Sequence, residues 1–96
     1  MLTGKQKRYL RGLGHHIKPV IMIGKSEITE ALMLETIKAL ASHELIKVKI
    51  LESCLLNRNE AATELAVASG AEVAQILGRT ILLYKRGEEP KIELPQ

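Results

Sequence analysis

The hydrophobic and polar positions of the chain follow a helical period in some stretches and a strand period in others, which divides it into seven elements. The first stretch predicts a helix from Thr3 to about Leu13, with Thr3 as the N-cap residue and Gln6 completing a capping box. On its buried side we expect the apolar positions Tyr9, Leu10, Leu13 and Ile17. Its outer face then carries Lys7, Arg8, Arg11 and His15.

The run PVIMI, which starts at Pro19, predicts a buried strand, since proline is tolerated at the first residue of a strand. A second helix is expected from Glu30 to about His43. Thr29 is its better N-cap residue, and Ser26 is the alternative. The inner face of this helix is expected to carry Met33, Ile37, Leu40 and Ala41.

The stretch from Glu44 to Leu51 alternates, which predicts a half-buried strand. One side of this strand carries Ile46, Val48 and Ile50, and the other carries Lys47 and Lys49. A third helix is predicted from Arg58 to Ser69. Asn57 with Glu60 resembles a capping box at its start, and Gly70 suits its C-terminal cap.

The segments AEVAQIL and TILLYKR predict two strands, joined by a two-residue turn at Gly78 and Arg79. Strands separated by helices favour parallel neighbours, whereas a hairpin is antiparallel. The order α-β-α-β-α-β-β therefore predicts a compact α/β fold in which helices pack on a four-stranded mixed sheet. We expect one domain over 1–96, with a core at 2–86 and a polar tail at 87–96 extended along the surface.

Composition narrows the class of protein. The hydrophobic content of 46% favours a packed core over disorder. No apolar run approaches the roughly 20 residues that span a bilayer, and no signal-peptide segment follows the N-terminal charges. The single cysteine excludes an internal disulfide framework. These features predict a cytoplasmic protein.

Charge is distributed unevenly, although the net charge is only +3. Six of the 14 basic residues precede the first acid, Glu27: Lys5, Lys7, Arg8, Arg11, Lys18 and Lys25. Such clustering favours a polyanion as partner over an ordinary solvated surface. The chain contains no Asp, Trp or Phe and only two Tyr, so base stacking on aromatic rings cannot be the main binding mode. Contacts to nucleic acid would use backbone charge and shape.

The segment Gly24-Lys25-Ser26 resembles the end of a nucleotide-binding P-loop, but Pro19 occupies the position of the first glycine of that motif. Proline has no N–H group and cannot help to wrap a phosphate. A simpler phosphate contact remains open, formed by the Gly24 backbone, the Lys25 charge and the N-terminus of the following helix. A plain strand-to-helix turn is an equally good interpretation.

No other residues form a convincing chemical site. His15 and His16 are adjacent and point apart, and no Cys or His spacing suits a metal. Cys54 has no neighbour in the sequence that would activate a thiol, and Glu30 and Glu35 fit a solvated helix surface. We therefore expect no catalytic residues, no metal, no cofactor and no small-molecule substrate.

The stretches LTGKQKRYLRGLGHHIKPVIMIGKSEIT, HELIKVKI and GRTILLYKR resemble the CRM domain family, named for chloroplast RNA splicing and ribosome maturation. The resemblance is closest to the small stand-alone bacterial members of the YhbY type. It implies a fold similar to the C-terminal domain of translation initiation factor three, and RNA binding through a KH-like Gly-x-x-Gly loop. Stand-alone bacterial members look like assembly factors that associate with precursors of the large ribosomal subunit.

The resemblance at the loop is partial, because Glu27 replaces the last glycine of Gly-x-x-Gly. The expected RNA-binding residues are Lys5, Lys7, Arg8, Arg11, Lys18, Gly24, Lys25 and Ser26. The leading hypothesis is a monomeric, non-enzymatic protein that binds the backbone of structured rRNA in pre-50S particles, away from membranes. The alternatives are a module that docks on ribosomal proteins or other assembly factors, and a protein that binds duplex DNA.

Overall fold

The chain folds as one four-stranded sheet with helices on both faces, in a computed structural model that describes all residues 1–96. The helices are α1 (Gly4–Gly14), α2 (Glu30–His43) and α3 (Arg58–Ser69), and the strands are β1 (Pro19–Ile23), β2 (Leu45–Ile50), β3 (Glu72–Leu77) and β4 (Thr80–Tyr84). The order across the sheet is β1-β2-β4-β3, with β1 parallel to β2 and the other pairs antiparallel. The predicted element order and mixed sheet are confirmed.

The two faces of the sheet carry separate apolar cores. On one face, Ile46 and Val48 of β2 pack with residues of α2 and α3, among them Leu40 and Leu65. On the other face, Leu45 and its neighbours on β3 and β4 pack under Leu10 of α1. Successive strand residues point to opposite faces, so the alternation in β2 divides its side chains between the two cores. None of the three helices combines the length and apolar character that crossing a membrane requires.

The helix ends follow from local hydrogen bonds. At α1 the Gln6 backbone N–H donates to Thr3 Oγ1 over 3.1 Å, and the Thr3 N–H donates back to Gln6 Oε1 over 3.0 Å. Thr29, not Ser26, caps α2, because Thr29 Oγ1 accepts from the Leu32 N–H. Asn57 accepts from the Glu60 N–H at α3, and Gly70 ends that helix with φ 73°. The predicted capping box at α1 is therefore present, as are the predicted caps of α2 and α3, but the Glu60 side chain does not complete the capping box predicted at α3.

The buried side of α1 differs from its prediction. Leu10 is fully buried, but Tyr9 is 43% exposed and Leu13 is 36% exposed. The helix instead approaches the sheet through Gly14, where an added Cβ would lie 3.0 Å from both methyl groups of Leu82. This close approach rotates α1 so that Leu10 and Gly14, one helical turn apart, face the sheet. The helical period was correct, and its phase was wrong.

The buried side of α2 was also predicted only in part. Leu40 is buried as expected, but the other fully buried position is Thr36, while Ile37 and Ala41 are exposed. The Thr36 hydroxyl donates to the Leu32 carbonyl over 2.8 Å, which satisfies its polar group inside the core. A threonine that bonds to the preceding turn can therefore replace an apolar residue on this face.

Strand β1 is half-buried, which corrects its prediction as a buried strand. Ile21 and Ile23 lie in the core, whereas Val20 is 49% exposed and Met22 is 47% exposed. The reason is topological, because β1 is an edge strand and no helix of the protein covers its second face. The side of the sheet that carries α1 is thus open over β1.

The C-terminal tail has no regular structure but is held against the domain. The carboxylate of Glu44 accepts backbone N–H groups from Gly87, Lys91 and Ile92 at 2.7, 2.7 and 3.0 Å. Gln6 Nε2 donates to the Pro95 carbonyl over 3.0 Å. The tail therefore follows the surface as predicted, and a buried carboxylate at the end of α2 fixes it there.

Candidate nucleic-acid interface

Helix α1 presents three of the predicted contact residues on its exposed surface: Lys7, Arg8 and Arg11. Lys7 and Arg11 are one helical turn apart and lie on the same side of the helix, roughly 6 Å from each other at Cβ. Leu10 and Gly14 hold the helix on the sheet; by helical spacing Arg8 lies on the far side from this contact, and Lys7 and Arg11 lie along its flank. The inner contacts of α1 thus turn these three cations toward solvent.

These cations have no acidic partners within the protein. The one ion pair in the structure joins the Met1 amino group to Glu72 over 3.6 Å, and every Lys and Arg nitrogen lies farther than 4.0 Å from the carboxylate oxygens of the Glu side chains. Lys5 differs from the others, since its Nζ donates to the Gln96 backbone oxygen over 3.2 Å beside the tail. The remaining α1 cations keep their full charge available to a polyanion.

Lys18 lies apart from the turn after β1. It is exposed at the start of β1, beside a shallow apolar groove that also contains Ile17 and His43. The turn at Gly24 follows the other end of β1, and the six residue steps from Lys18 to Gly24, at about 3.3 Å each, separate the two sites by roughly 20 Å. The structure therefore spreads the eight predicted residues over a long surface and does not gather them at one point.

The turn after β1 is a compact four-residue structure. The Glu27 N–H donates to the Gly24 carbonyl over 3.0 Å, which leaves Lys25 and Ser26 exposed at the tip. An added Cβ on Gly24 would make ordinary contacts of 3.6 Å with Leu51 and Ser53, so packing does not require glycine there. A glycine that the fold does not require is consistent with a close approach by a ligand.

Glu27 has a role that the sequence analysis missed. Its backbone has a φ of 57°, in the left-handed region that favours glycine. The sequence shows that Glu27 replaces the last glycine of Gly-x-x-Gly, but not that this position has a positive φ. The resemblance contained the missing signal, because the family has glycine at this position.

The N-terminus of α2 is less available than the sequence suggested. The helix begins at Glu30, three residues after the turn closes at Glu27. The Thr29 side chain already accepts the Leu32 N–H, and Glu30 adds a negative charge in the first helical turn. A phosphate at the turn would therefore meet Lys25 and the Gly24 backbone, and the helix end would contribute little.

Lys47 and Lys49 of β2 lie on the same side of the sheet as α1. The sequence alternation predicted that they share a face opposite Ile46, and the structure confirms this, since Lys47 pairs with Leu82 under α1. The sequence could equally well place them on a plain exposed strand. What it did not indicate is that α1 covers only part of this face and leaves Lys49 exposed.

The titratable groups with altered pKa values lie near the tail. Hydrogen bonds from the Gly87, Lys91 and Ile92 N–H groups lower the pKa of Glu44 below 4.5 against the opposing effect of burial. Burial, together with the nearby Glu44 and Glu72 carboxylates, raises the pKa of Tyr84. Both groups stabilise the fold and lie outside the basic surface.

The structure brings together no metal-binding or catalytic cluster. No group of three His, Cys, Asp or Glu side chains is arranged to hold a metal ion. Cys54 is buried, and its sulfur lies 4.0 Å from the Leu56 carbonyl oxygen with no histidine hydrogen-bonded to it.

Known proteins are similar to this chain in both sequence and fold. Residues 2–85 match the CRS1/YhbY (CRM) domain. The chain is 43% identical to "Probable RNA-binding protein YqeI" of Bacillus subtilis over 96 residues, covering 99% of this chain and 100% of that protein. It is 38% identical over 95 residues to an "RNA-binding protein" of Haemophilus influenzae, covering 99% of this chain and 96% of that protein.

A solved structure agrees with the fold over its full length. The solution structure of Staphylococcus aureus SAV1595 superposes with a TM-score of 0.83 and is 43% identical in sequence. The match covers 99% of this chain and 100% of that one. The chain belongs to the CRS1/YhbY (CRM) domain family, which is not a family of enzymes.

Proposed function

We propose that the protein is a cytoplasmic RNA-binding protein that helps to assemble the large ribosomal subunit. It binds the sugar–phosphate backbone of structured rRNA in pre-50S particles through α1, Lys18 and the turn that starts at Gly24. The relatives named as RNA-binding proteins match nearly the whole chain, which supports a shared partner class. The association with ribosome precursors rests on the resemblance to stand-alone bacterial CRM proteins.

One observation carries the proposal, namely that the turn and α1 both expose cations that no carboxylate of the protein neutralises. Lys25 and Ser26 lie at the tip of the turn, and Lys7, Arg8 and Arg11 face solvent from α1. Each such cation can displace counterions from a phosphate, so the affinity for RNA should fall steeply with salt. The protein has two tyrosines and no Phe or Trp, so it is better suited to contacts with the RNA backbone than to reading the bases.

The test replaces Lys7, Arg8 and Arg11 together with alanine, which keeps the helix because alanine has high helix propensity. The triple variant should lose most of its affinity for in vitro transcribed large-subunit rRNA. The slope of the logarithm of its binding constant against the logarithm of salt concentration should become shallower by about 3. It should also stop cosedimenting with pre-50S particles from cells.

The matched control replaces three exposed cations elsewhere on the surface: Lys38, Arg58 and Arg86. This variant should bind rRNA nearly as well as the parent, because these positions lie outside the proposed surface. If the α1 variant lost rRNA binding yet still cosedimented with the particles, the protein would dock on a protein component. If both variants kept full rRNA affinity, backbone recognition by α1 would be wrong.

Gly24→Ala tests the turn independently of charge. The added methyl group has room at 3.6 Å from its neighbours, so the free energy of unfolding should change by less than about 1 kcal/mol. Affinity for the rRNA should fall several-fold if a phosphate approaches the Gly24 backbone. Unchanged affinity would remove the Gly24 backbone from the contact surface.

A further inference from the structure

We propose that the bound RNA strand continues from α1 across the open half of the sheet, over Lys47 and Lys49, to the turn at Lys25. This inference rests on the proposed function and extends it, because it joins two separate contact regions into one path. The ligand is a continuous sugar–phosphate backbone, recognised by its negative charge. Lys47 and Lys49 are added as phosphate-binding residues.

The first step is the contact between α1 and the sheet. Gly14 at the end of α1 lies directly over Leu82 of β4, and Leu82 is the cross-strand partner of Lys47. Lys47 is accordingly half-buried at the base of the helix end. A strand that crosses the C-terminal end of α1 toward β1 would meet the Lys47 ammonium group next.

The second step is the open surface beyond Lys47. Lys49 is exposed, pairs with Met22 of β1 and Thr80 of β4, and has no helix over it. Val20 and Met22 beside it are about half exposed on the same face. Neither ammonium group lies within 4.0 Å of a Glu carboxylate oxygen, and neither ammonium group donates a hydrogen bond within the protein. Both charges remain free for a ligand.

The third step is the spacing of the cations. Lys47 and Lys49 are two strand residues apart, about 7 Å, and three residues lead from Met22 to Lys25, about 10 Å along the chain. Arg11 precedes Gly14 by three helical residues, about 5 Å along the helix axis. The cations are therefore about 7 Å apart within β2, and up to roughly 15 Å apart at each end of the path, where a cross-strand step of about 5 Å is added.

The surface chemistry favours RNA over an acidic protein segment. The cations follow one another across the sheet beside Val20, Met22 and the apolar groove that contains Ile17, which suits a charged backbone with sugars at its side. A protein interface of ordinary size would need a wider apolar centre. The absence of Phe and Trp also favours a strand held by its phosphates.

The test is the double substitution Lys47→Gln with Lys49→Gln, which keeps most of each aliphatic stem and removes both charges. Affinity for large-subunit rRNA should fall about tenfold, and the salt slope should fall by about 2. The matched control is Lys38→Gln with Arg86→Gln, which removes two exposed charges elsewhere and should leave affinity and slope unchanged. Thermal unfolding of both variants should match the parent, which excludes loss of fold as the cause.

A footprint provides a second readout that uses the unaltered protein. Acylation of lysines with and without bound rRNA, followed by mass spectrometry, should show Lys47 and Lys49 protected and Lys38 reactive in both states. If the α1 triple variant lost rRNA binding while the Lys47/Lys49 variant kept it, the path would be wrong and the proposed function would stand. If the α1 variant itself bound normally, the proposed function would fail first. Loss of particle binding with normal binding to free rRNA would identify a protein ligand and overturn the RNA path.

Discussion

Glu27 and Glu44 are the two non-glycine residues whose backbone has a positive φ, at 57° and 62°, and their surroundings are opposite. Glu44 is 3% exposed at the end of α2, and its carboxylate accepts the three backbone N–H groups of the tail. Glu27 lies half-exposed in the turn after β1, and its side chain makes no hydrogen bond within the protein. The same residue type with a similar positive φ is thus supported by hydrogen bonds of its side chain at one site and unsupported at the other.

The hydrogen bonds of Glu44 offset two unfavourable features of its position. With φ 62° and ψ −40°, Glu44 has a sparsely populated backbone conformation that costs a non-glycine residue about 1–3 kcal/mol, and a negative charge near a helix C-terminus is disfavoured by the helix dipole. Three N–H groups compensate for both, and the Glu44 carbonyl also accepts from the Lys85 N–H over 2.9 Å. The conformation of Glu44 is therefore part of the architecture, because it directs the carboxylate toward the tail.

Glu27 has no comparable compensation, and its one backbone bond, to the Gly24 carbonyl, would form equally well with glycine. Backbone strain without a structural benefit is found most often at functional sites. The fold therefore uses the conformation of Glu44, whereas the conformation of Glu27 would be explained by the proposed contact of the turn with phosphate.

The largest expected effect comes from Glu44→Ala. Removing the carboxylate leaves the Gly87, Lys91 and Ile92 N–H groups without their acceptor, so the tail should detach and the protein should lose about 2–4 kcal/mol of stability. Urea unfolding measures the loss, and amide hydrogen exchange should show that the tail opens. Glu88→Ala, an exposed acid in the same tail, is the control and should change little. A loss below about 0.5 kcal/mol would mean that the tail is not held by Glu44.

Acid should weaken the same contact to a smaller extent. The pKa of Glu44 is lowered in the folded protein, so its contribution is fully present above the pKa of the unfolded chain and declines as pH falls through the folded value. Melting temperatures measured from pH 7 to pH 3 should therefore fall for the parent. The melting temperature of Glu44→Gln should be lower than that of the parent at pH 7. It should fall less steeply below pH 4.5, because glutamine has no proton to gain. Parallel curves for the two proteins would refute the assignment of acid sensitivity to Glu44.

The contrast also explains how much of the molecule was predictable. Caps at Thr3, Thr29 and Asn57, and the glycine end at Gly70, depend on short-range hydrogen bonds, so the sequence specified every element to within a residue or two. The phase of α1 and the exposure of β1 depend on which elements meet across the sheet. The close contact of Gly14 with Leu82, 68 positions apart, has no local signal.

The candidate site divides in the same way. The exposure of Lys7, Arg8 and Arg11 followed from helical spacing, and the exposed tip at Lys25 followed from the strand-to-turn pattern. The sequence could not indicate that Lys18 and Lys25 lie at opposite ends of β1, nor that Lys47 lies under the end of α1. Residue types predicted the chemistry of the surface, and tertiary packing determined its extent.

The smallest effect on stability, and the sharpest test of the comparison, is expected from Glu27→Gly. Glycine adopts the positive φ without strain but loses more conformational entropy on folding. The free energy of unfolding, measured in urea, should therefore rise by about 0.5–1 kcal/mol. Affinity for rRNA should rise, because the variant removes a carboxylate and opens the turn to a phosphate. Glu27→Gln separates these causes, since it removes the charge and keeps the strain. Tighter binding by both variants to the same degree would attribute the effect to charge alone. If neither changed the affinity, the turn would not touch phosphate, and the contact would rest on α1 and the sheet.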